Sequence, residues 1–187
     1  MTWQGMGMET GVVSRPSEES RLSTAERQVP VNLLIVDDNR DNLSVMEKVL
    51  ENESYQIVTA ASGREALKII LQDDFALIFM DVRMPIMDGF ETARIIRERE
   101  RSAHIPIMFL TAFARDDARQ MFQGYSLGAV DFIVKPVPPE VLRKKAAAFA
   151  ELFRKKESLR VQKELLRQSH DQLEIRVAER TEDLARV

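Results

Sequence analysis

Four stretches of the chain run from an apolar segment straight into a group able to do chemistry. VNLLIV leads into Asp37 and Asp38, FALIFM into Asp81, IPIMFL into Thr111 and Ala112, and DFIV into Lys135 and Pro136. An ionised carboxylate at the tip of a buried segment is costly unless something pairs with it. Three carboxylates in one place repel strongly unless a cation sits among them. Oxygen ligands without His or Cys select a hard ion, Mg²⁺ or Mn²⁺. With charge neutralised by the metal and Lys135, one carboxylate can attack phosphorus and carry the product as an acyl phosphate. Thr111 and backbone N–H groups could then hold the phosphoryl oxygens, with Lys135 as a point charge on them.

Taken singly, each group has a plainer role. An aspartate at a strand end commonly caps a turn or helix, a threonine suits a strand, and a lysine is solvated. The joint placement on successive strand ends carries the reading, and it requires a parallel sheet whose carboxyl ends share one edge, where open α/β sheets bind ligands.

The elements that would build such a sheet are legible from Val31 onward. Strands are expected at 31–36 (VNLLIV), 55–61 (YQIVTAA), 75–80 (FALIFM), 105–111 (IPIMFLT) and 129–134 (AVDFIV). Between them, 43–52, 63–72 and 90–100 have apolar residues at helical spacing, Ser62 can cap the second of these, and RDDARQMFQGYSLG (115–128) reads as a fourth helix. Strands alternating with helices over short loops give a doubly wound five-stranded α/β domain, assigned to residues 30–150. Met80, Met84 and Met87 are read as packing.

Residues 1–29, rich in Gly, Ser, Glu and Arg without periodicity, are read as a disordered tail, with Trp3 facing solvent. From Glu140 to Val187 there is neither Gly nor Pro, and Leu152, Leu159, Leu166 and Leu173 recur every seven residues. With these at d positions of a heptad, Phe149, Lys156, Lys163, His170, Val177 and Leu184 occupy the a positions. Leucine at d with polar groups at a suits a two-stranded parallel coil that gives up stability for register. The expectation is a coiled-coil helix over 151–187, continuous with the last helix of the domain, and a parallel homodimer through 149–187.

Bulk composition narrows the function classes. The net charge of −3 gives no argument for nucleic acid or an anionic membrane as partner, and the absence of Cys excludes disulfides and thiolate metal sites. No apolar run is long enough to span a membrane and the N-terminus lacks a basic-then-apolar signal, so a cytoplasmic location is expected.

The motifs VDDN, FMDVRMPIMDG, FLTA and DFIVKP, in this order and spacing, resemble the receiver domain of two-component response regulators, over residues 32–150. The resemblance implies a flavodoxin-like strand order of 2-1-3-4-5 and a histidine kinase or phosphotransfer protein as partner. It implies that Asp81 is the phosphoacceptor, charged from a phosphohistidine, and that Asp38 ligates Mg²⁺ directly and Asp37 mostly through water. The backbone carbonyl of Arg83 would complete the metal set, Lys135 would bond the phosphoryl group, and Lys135–Pro136 would be a cis peptide. Thr111 and Phe132 would form the switch, with Phe132 rotating inward as Thr111 moves. Phe132 stands where tyrosine is also common, so no hydroxyl reports the inward state. Arg83 and Phe113 would flank the path of attacking water and tune phosphoryl lifetime.

LEIRVAERTEDLARV resembles the coiled-coil linkers that join signalling input to output domains, such as a histidine kinase core or a nucleotide cyclase. The expectation is a phosphorylation-activated receiver, the N-terminal part of a larger signalling protein, that catalyses its own phosphoryl transfer with no separate catalytic domain in this sequence. A constitutive dimerisation scaffold indifferent to phosphate is the alternative. A flavodoxin-type cofactor binder is disfavoured because DDNRD offers acids where a phosphate needs donors. A phosphatase with an Asp-x-Asp pair is disfavoured because Asp81-Val82-Arg83 lacks the second acid. His170, although followed by Asp171, is read as a polar register residue and not as a phosphoacceptor.

Overall fold

The computed structural model describes residues 31–51, 54–112, 122, 124–126, 128 and 131–185. The tail, Phe113, most of the expected fourth helix, the start of the expected fifth strand and the side chain of Leu184 lie outside the described residues.

Strands β1 (Val31–Val36), β2 (Tyr55–Ala60), β3 (Leu77–Asp81), β4 (Ile107–Thr111) and β5 (Asp131–Val134) form one sheet. The order is β2-β1-β3-β4-β5 with every neighbouring pair parallel. Helices α1 (Arg40–Leu50), α2 (Gly63–Ile69), α3 (Gly89–Glu98) and α4 (Pro139–Ala185) complete the described elements.

The continuous apolar runs of β1, β3 and β4 are explained by burial on both faces. Alternate residues divide between two cores. Leu34, Val36, Ile78, Met80 and Phe109 meet Ala66, Ile70, Phe90, Ala93 and Ile96 on the side of α2 and α3. Leu33, Ile35, Leu77, Phe79, Met108 and Leu110 meet Leu43, Met46, Leu50, Leu142, Ala146 and Ala150 on the side of α1 and α4. Met80 and Met84 are buried packing residues, as read from sequence. Each fully buried side chain of this size contributes about 1.5–3 kcal/mol.

The helix starts are set by side-chain caps. Ser62 Oγ accepts from the Glu65 N–H at 3.2 Å and Asp88 Oδ1 from the Glu91 N–H at 2.7 Å. Asn39 Oδ1 accepts from the Asp41 N–H at 2.9 Å, so α1 starts at Arg40, ahead of the apolar periodicity. Asp81 is the last residue of β3 and pairs in register with Leu110.

α4 starts on the domain and continues beyond it. Leu142, Ala146 and Ala150 are buried, and Phe149 and Phe153 pack against the same core. Phe149, the first expected a position, is therefore engaged by its own domain. Leu152, Leu159, Leu166 and Leu173 are 57–73% exposed, forming a wet stripe. Pairs such as Lys155–Glu151 at 2.7 Å and Arg167–Glu164 at 2.9 Å line the exposed helix surface at i,i+4 and i,i+3 spacing, where solvent screens them. Among the described residues no helix is long and apolar enough to cross a membrane.

Candidate functional site

The carboxyl ends of β1, β3 and β5 deliver the charged groups. Lys135, directly after β5, places Nζ 2.7 Å from Asp37 Oδ2 and 2.7 Å from Asp81 Oδ1. Asp37, Asp38 and Asp81 each offer a carboxylate oxygen within 4.8 Å of the others. Asp37 is fully buried, Asp81 is 7% exposed and Asp38 faces solvent. The peptide between Lys135 and Pro136 is cis, as the resemblance implied.

Asp37 is the most thoroughly bonded of the three. Its Oδ1 accepts from the Asn39 N–H at 2.9 Å, and the Asn42 amide donates to both of its oxygens at 3.1 Å. With Lys135 on Oδ2, each oxygen of this buried carboxylate is satisfied, as burial of a charge demands. Apolar spacing does not mark Asn39 and Asn42, whose roles come from contacts with Asp37. The signal was the DDNRDN run itself, where amides follow the acids at the turn into a helix.

Electrostatics set Asp81 apart. Burial pushes its carboxyl above the usual range of 3.8; Lys135 opposes this, while Asp37 and Asp38 reinforce it. Lys135 is held above its usual 10.5: burial works the other way, but its bonds to Asp37 and Asp81 outweigh it. The pocket thus disfavours a charged Asp81 and demands a positive charge nearby.

Thr111 ends β4 and is buried, and its carbonyl accepts from the Lys135 N–H at 2.7 Å. That bond holds the ends of β4 and β5 together. Ala112 follows it and is exposed. Arg83 lies two residues past Asp81 with an exposed side chain. Phe132 is not among the charges. It belongs to an aromatic row, with ring centroids 5.4 Å from Phe109 and 5.2 Å from Tyr125, and Phe109 is 4.8 Å from Phe90.

The loop from β3 to α3 comes close to Asp81. A Cβ on Gly89 would stand 2.2 Å from the Asp81 carbonyl oxygen and 3.0 Å from Val82 Cα, so only glycine allows this approach. Within the loop Ile86, 88% exposed, has φ 71°, a left-handed conformation that a β-branched residue adopts at a cost of about 1–3 kcal/mol.

With this geometry in hand, comparison with known proteins is specific. The family model for the response regulator receiver domain matches residues 33–147. A probable cyclic di-GMP phosphodiesterase of Vibrio cholerae is 34% identical over 155 residues, covering 83% of this chain and 33% of that protein. The hybrid signal transduction histidine kinase L of Dictyostelium discoideum is 35% identical over 140 residues, 70% of this chain and 8% of that protein. The chain thus spans a third or less of the length of these two curated relatives. Among solved structures, the chemotaxis protein CheY4 of Vibrio cholerae superposes with a TM-score of 0.60 at 32% identity, covering 65% of this chain and 99% of that one. The receiver domain of the sensor histidine kinase PA1611 from Pseudomonas aeruginosa, which has a magnesium ion coordinated in its active-site cleft, gives 0.58 at 29% identity, covering 65% and 98%. Since the family model accounts for more than half of its length, this chain belongs to the response regulator receiver domain family.

Proposed function

We propose that this chain is a phosphorylation-activated receiver in which Asp81 takes a phosphoryl group from the phosphohistidine of a histidine kinase or phosphotransfer protein. The observation that carries this reading is the single Lys135 ammonium lying 2.7 Å from both Asp37 and Asp81 at one sheet edge. A carboxylate oxygen of Asp81 attacks phosphorus, the P–N bond breaks, an acyl phosphate forms, and the imidazole leaves with a proton. Lys135 then exchanges its bond to the Asp81 carboxylate for one to the phosphoryl oxygens. Thr111 and the backbone at Ala112 hold the other oxygens.

The donor set fits a hard divalent ion: converging carboxylates of Asp37, Asp38 and Asp81, all oxygen. Asp38, Asp37, Asp81 and the Arg83 carbonyl would hold Mg²⁺, or Mn²⁺. When bound, the ion neutralises the crowded acids and the charge that grows on the transferring group.

Phosphorylation draws Thr111 toward the new oxygens and Phe132 inward after it, a two-state change biased by a local charge. α4 carries the change onward as a parallel dimeric coil to an output enzyme; two relatives of which this chain covers a third or less are named as a phosphodiesterase and a hybrid histidine kinase. The test is labelling by acetyl phosphate or phosphoramidate. Label is expected only with Mg²⁺ and only on Asp81; an Asp81→Asn protein that still takes up label overturns the site assignment.

A further inference from the structure

Phe132 and α4 lie on opposite faces of β5. Phe132 packs with the core on the side of α2 and α3, whereas the next residue, Ile133, shares its core with Leu142, Ala146 and Ala150 of α4. A movement of the Phe132 ring is therefore not felt directly by the helix. Asp131, two places from Ile133, shares the α4 face by strand alternation. Its carboxylate has two oxygens engaged by two different elements. Oδ1 accepts from the Phe132 N–H at 2.8 Å and Oδ2 accepts from Lys145 Nζ at 2.6 Å. β5 is an edge strand, so an N–H on its outer side has no ladder partner and needs such an acceptor. Lys145 immediately precedes the fully buried Ala146, at the part of α4 seated on the sheet.

We propose that Asp131 is a positioning residue that links the backbone of the switch aromatic to the base of the output helix through Lys145. The proposal rests on the reading of Phe132 as the switch. When the Phe132 backbone shifts, Asp131 either draws Lys145 with it or releases it, and the seat of α4 changes. The pair is 36–40% exposed, a setting in which ion pairs add little to static stability and are screened by salt. A role in coupling is thereby separable from a role in folding.

The test is hydrogen exchange on the full chain, with and without Mg²⁺ and beryllofluoride as the phosphoryl mimic. In the wild type, beryllofluoride should change exchange both in 131–134 and in 139–150. Lys145→Gln and Asp131→Asn should retain beryllofluoride binding, the response of β5 and a near-native thermal midpoint, while the response at 139–150 falls at least threefold. Lys145→Arg should restore that response, and 1 M salt should mimic Lys145→Gln in the wild type. An undiminished response at 139–150 in both variants, or a wild-type helix that does not respond while β5 does, overturns the proposal. Failure of beryllofluoride to bind the wild type overturns the receiver reading itself, and the proposal with it.

Discussion

Lys135 Nζ stands 2.7 Å from Asp81 Oδ1 and at the same distance from Asp37 Oδ2, so one ammonium serves two buried carboxylates. Removing it leaves both acids without their cation. Lys135→Met should cost about 3 kcal/mol in chelator-treated protein, the range for breaking a buried pair from one side. Saturating Mg²⁺ should recover much of that by binding only the folded state. The pH dependence has a definite sign. Because Lys135 is held above 10.5, its contribution is complete below that value and is lost as pH rises through the higher folded value. Urea titrations should show the wild type losing stability in that alkaline window and the variant showing no corresponding loss.

Asp81 carries the opposite consequence. Its carboxyl is raised, foremost by burial, so the folded chain holds that proton more tightly than the unfolded chain. Stability therefore falls as pH rises from 3.8 through the folded value, and the ionised group remains a burden at neutral pH. Asp81→Asn should stabilise the metal-free protein at pH 7 by on the order of 1 kcal/mol, with the gap closing toward pH 4. Equal stability at both pH values would show that the pocket stores no repulsion.

The acids and the lysine were legible because each stands where an apolar run stops, a feature that short-range pattern preserves. The strand order came from the family resemblance, since periodicity says nothing about which strands are neighbours. Other features depend on contacts distant in sequence. Asn42 clamps Asp37 and Asn39 moves the start of α1, neither visible from apolar spacing. Phe149 fits the heptad as well as Leu152 does, yet tertiary packing assigns it to the domain core. The need for glycine at position 89 comes from the carbonyl of Asp81, eight residues earlier.

Metal binding should separate the two neighbouring acids. Asp38 faces solvent, whereas Asp37 is fully buried and bonded to Asn39, Asn42 and Lys135. Asp38→Asn should leave stability within about 0.5 kcal/mol of wild type. Its Mg²⁺ affinity, measured by calorimetry, should fall about tenfold or more, at about 1.4 kcal/mol per tenfold. Asp37→Asn should lose affinity and also fold stability.

Gly89→Ala tests how closely the loop is fitted to β3. The added carbon meets backbone at 2.2 Å, which cannot swing away as a side chain could. Either Asp81 is displaced or the start of α3 moves, at about 1–3 kcal/mol. Both outcomes should slow acetyl phosphate labelling of Asp81, and chemical denaturation should show the cost. A variant with wild-type stability and labelling would mean the approach is looser than these distances.

The exposed stripe of α4 makes the proposed dimer testable apart from the domain. Pairing would bury Leu159 and Leu166, now 65% and 73% exposed, and full burial of a leucine is worth about 1.5–3 kcal/mol. Lys156, Lys163 and His170 at the a positions keep such a coil weak. Each substitution removes one leucine from both chains, so Leu166→Ala should weaken association by at least about tenfold, a loss of roughly 1.4 kcal/mol or more. Phe149→Ala should behave differently. It packs on its own domain, so its loss should lower the thermal midpoint while leaving association unchanged. Sedimentation velocity over a concentration series distinguishes the two variants. A wild type that is monomeric throughout overturns the coil. A dimer whose mass and shape ignore Mg²⁺ and beryllofluoride would favour the constitutive scaffold over the switch, because a helix that transmits the state of Asp81 must differ between the two states.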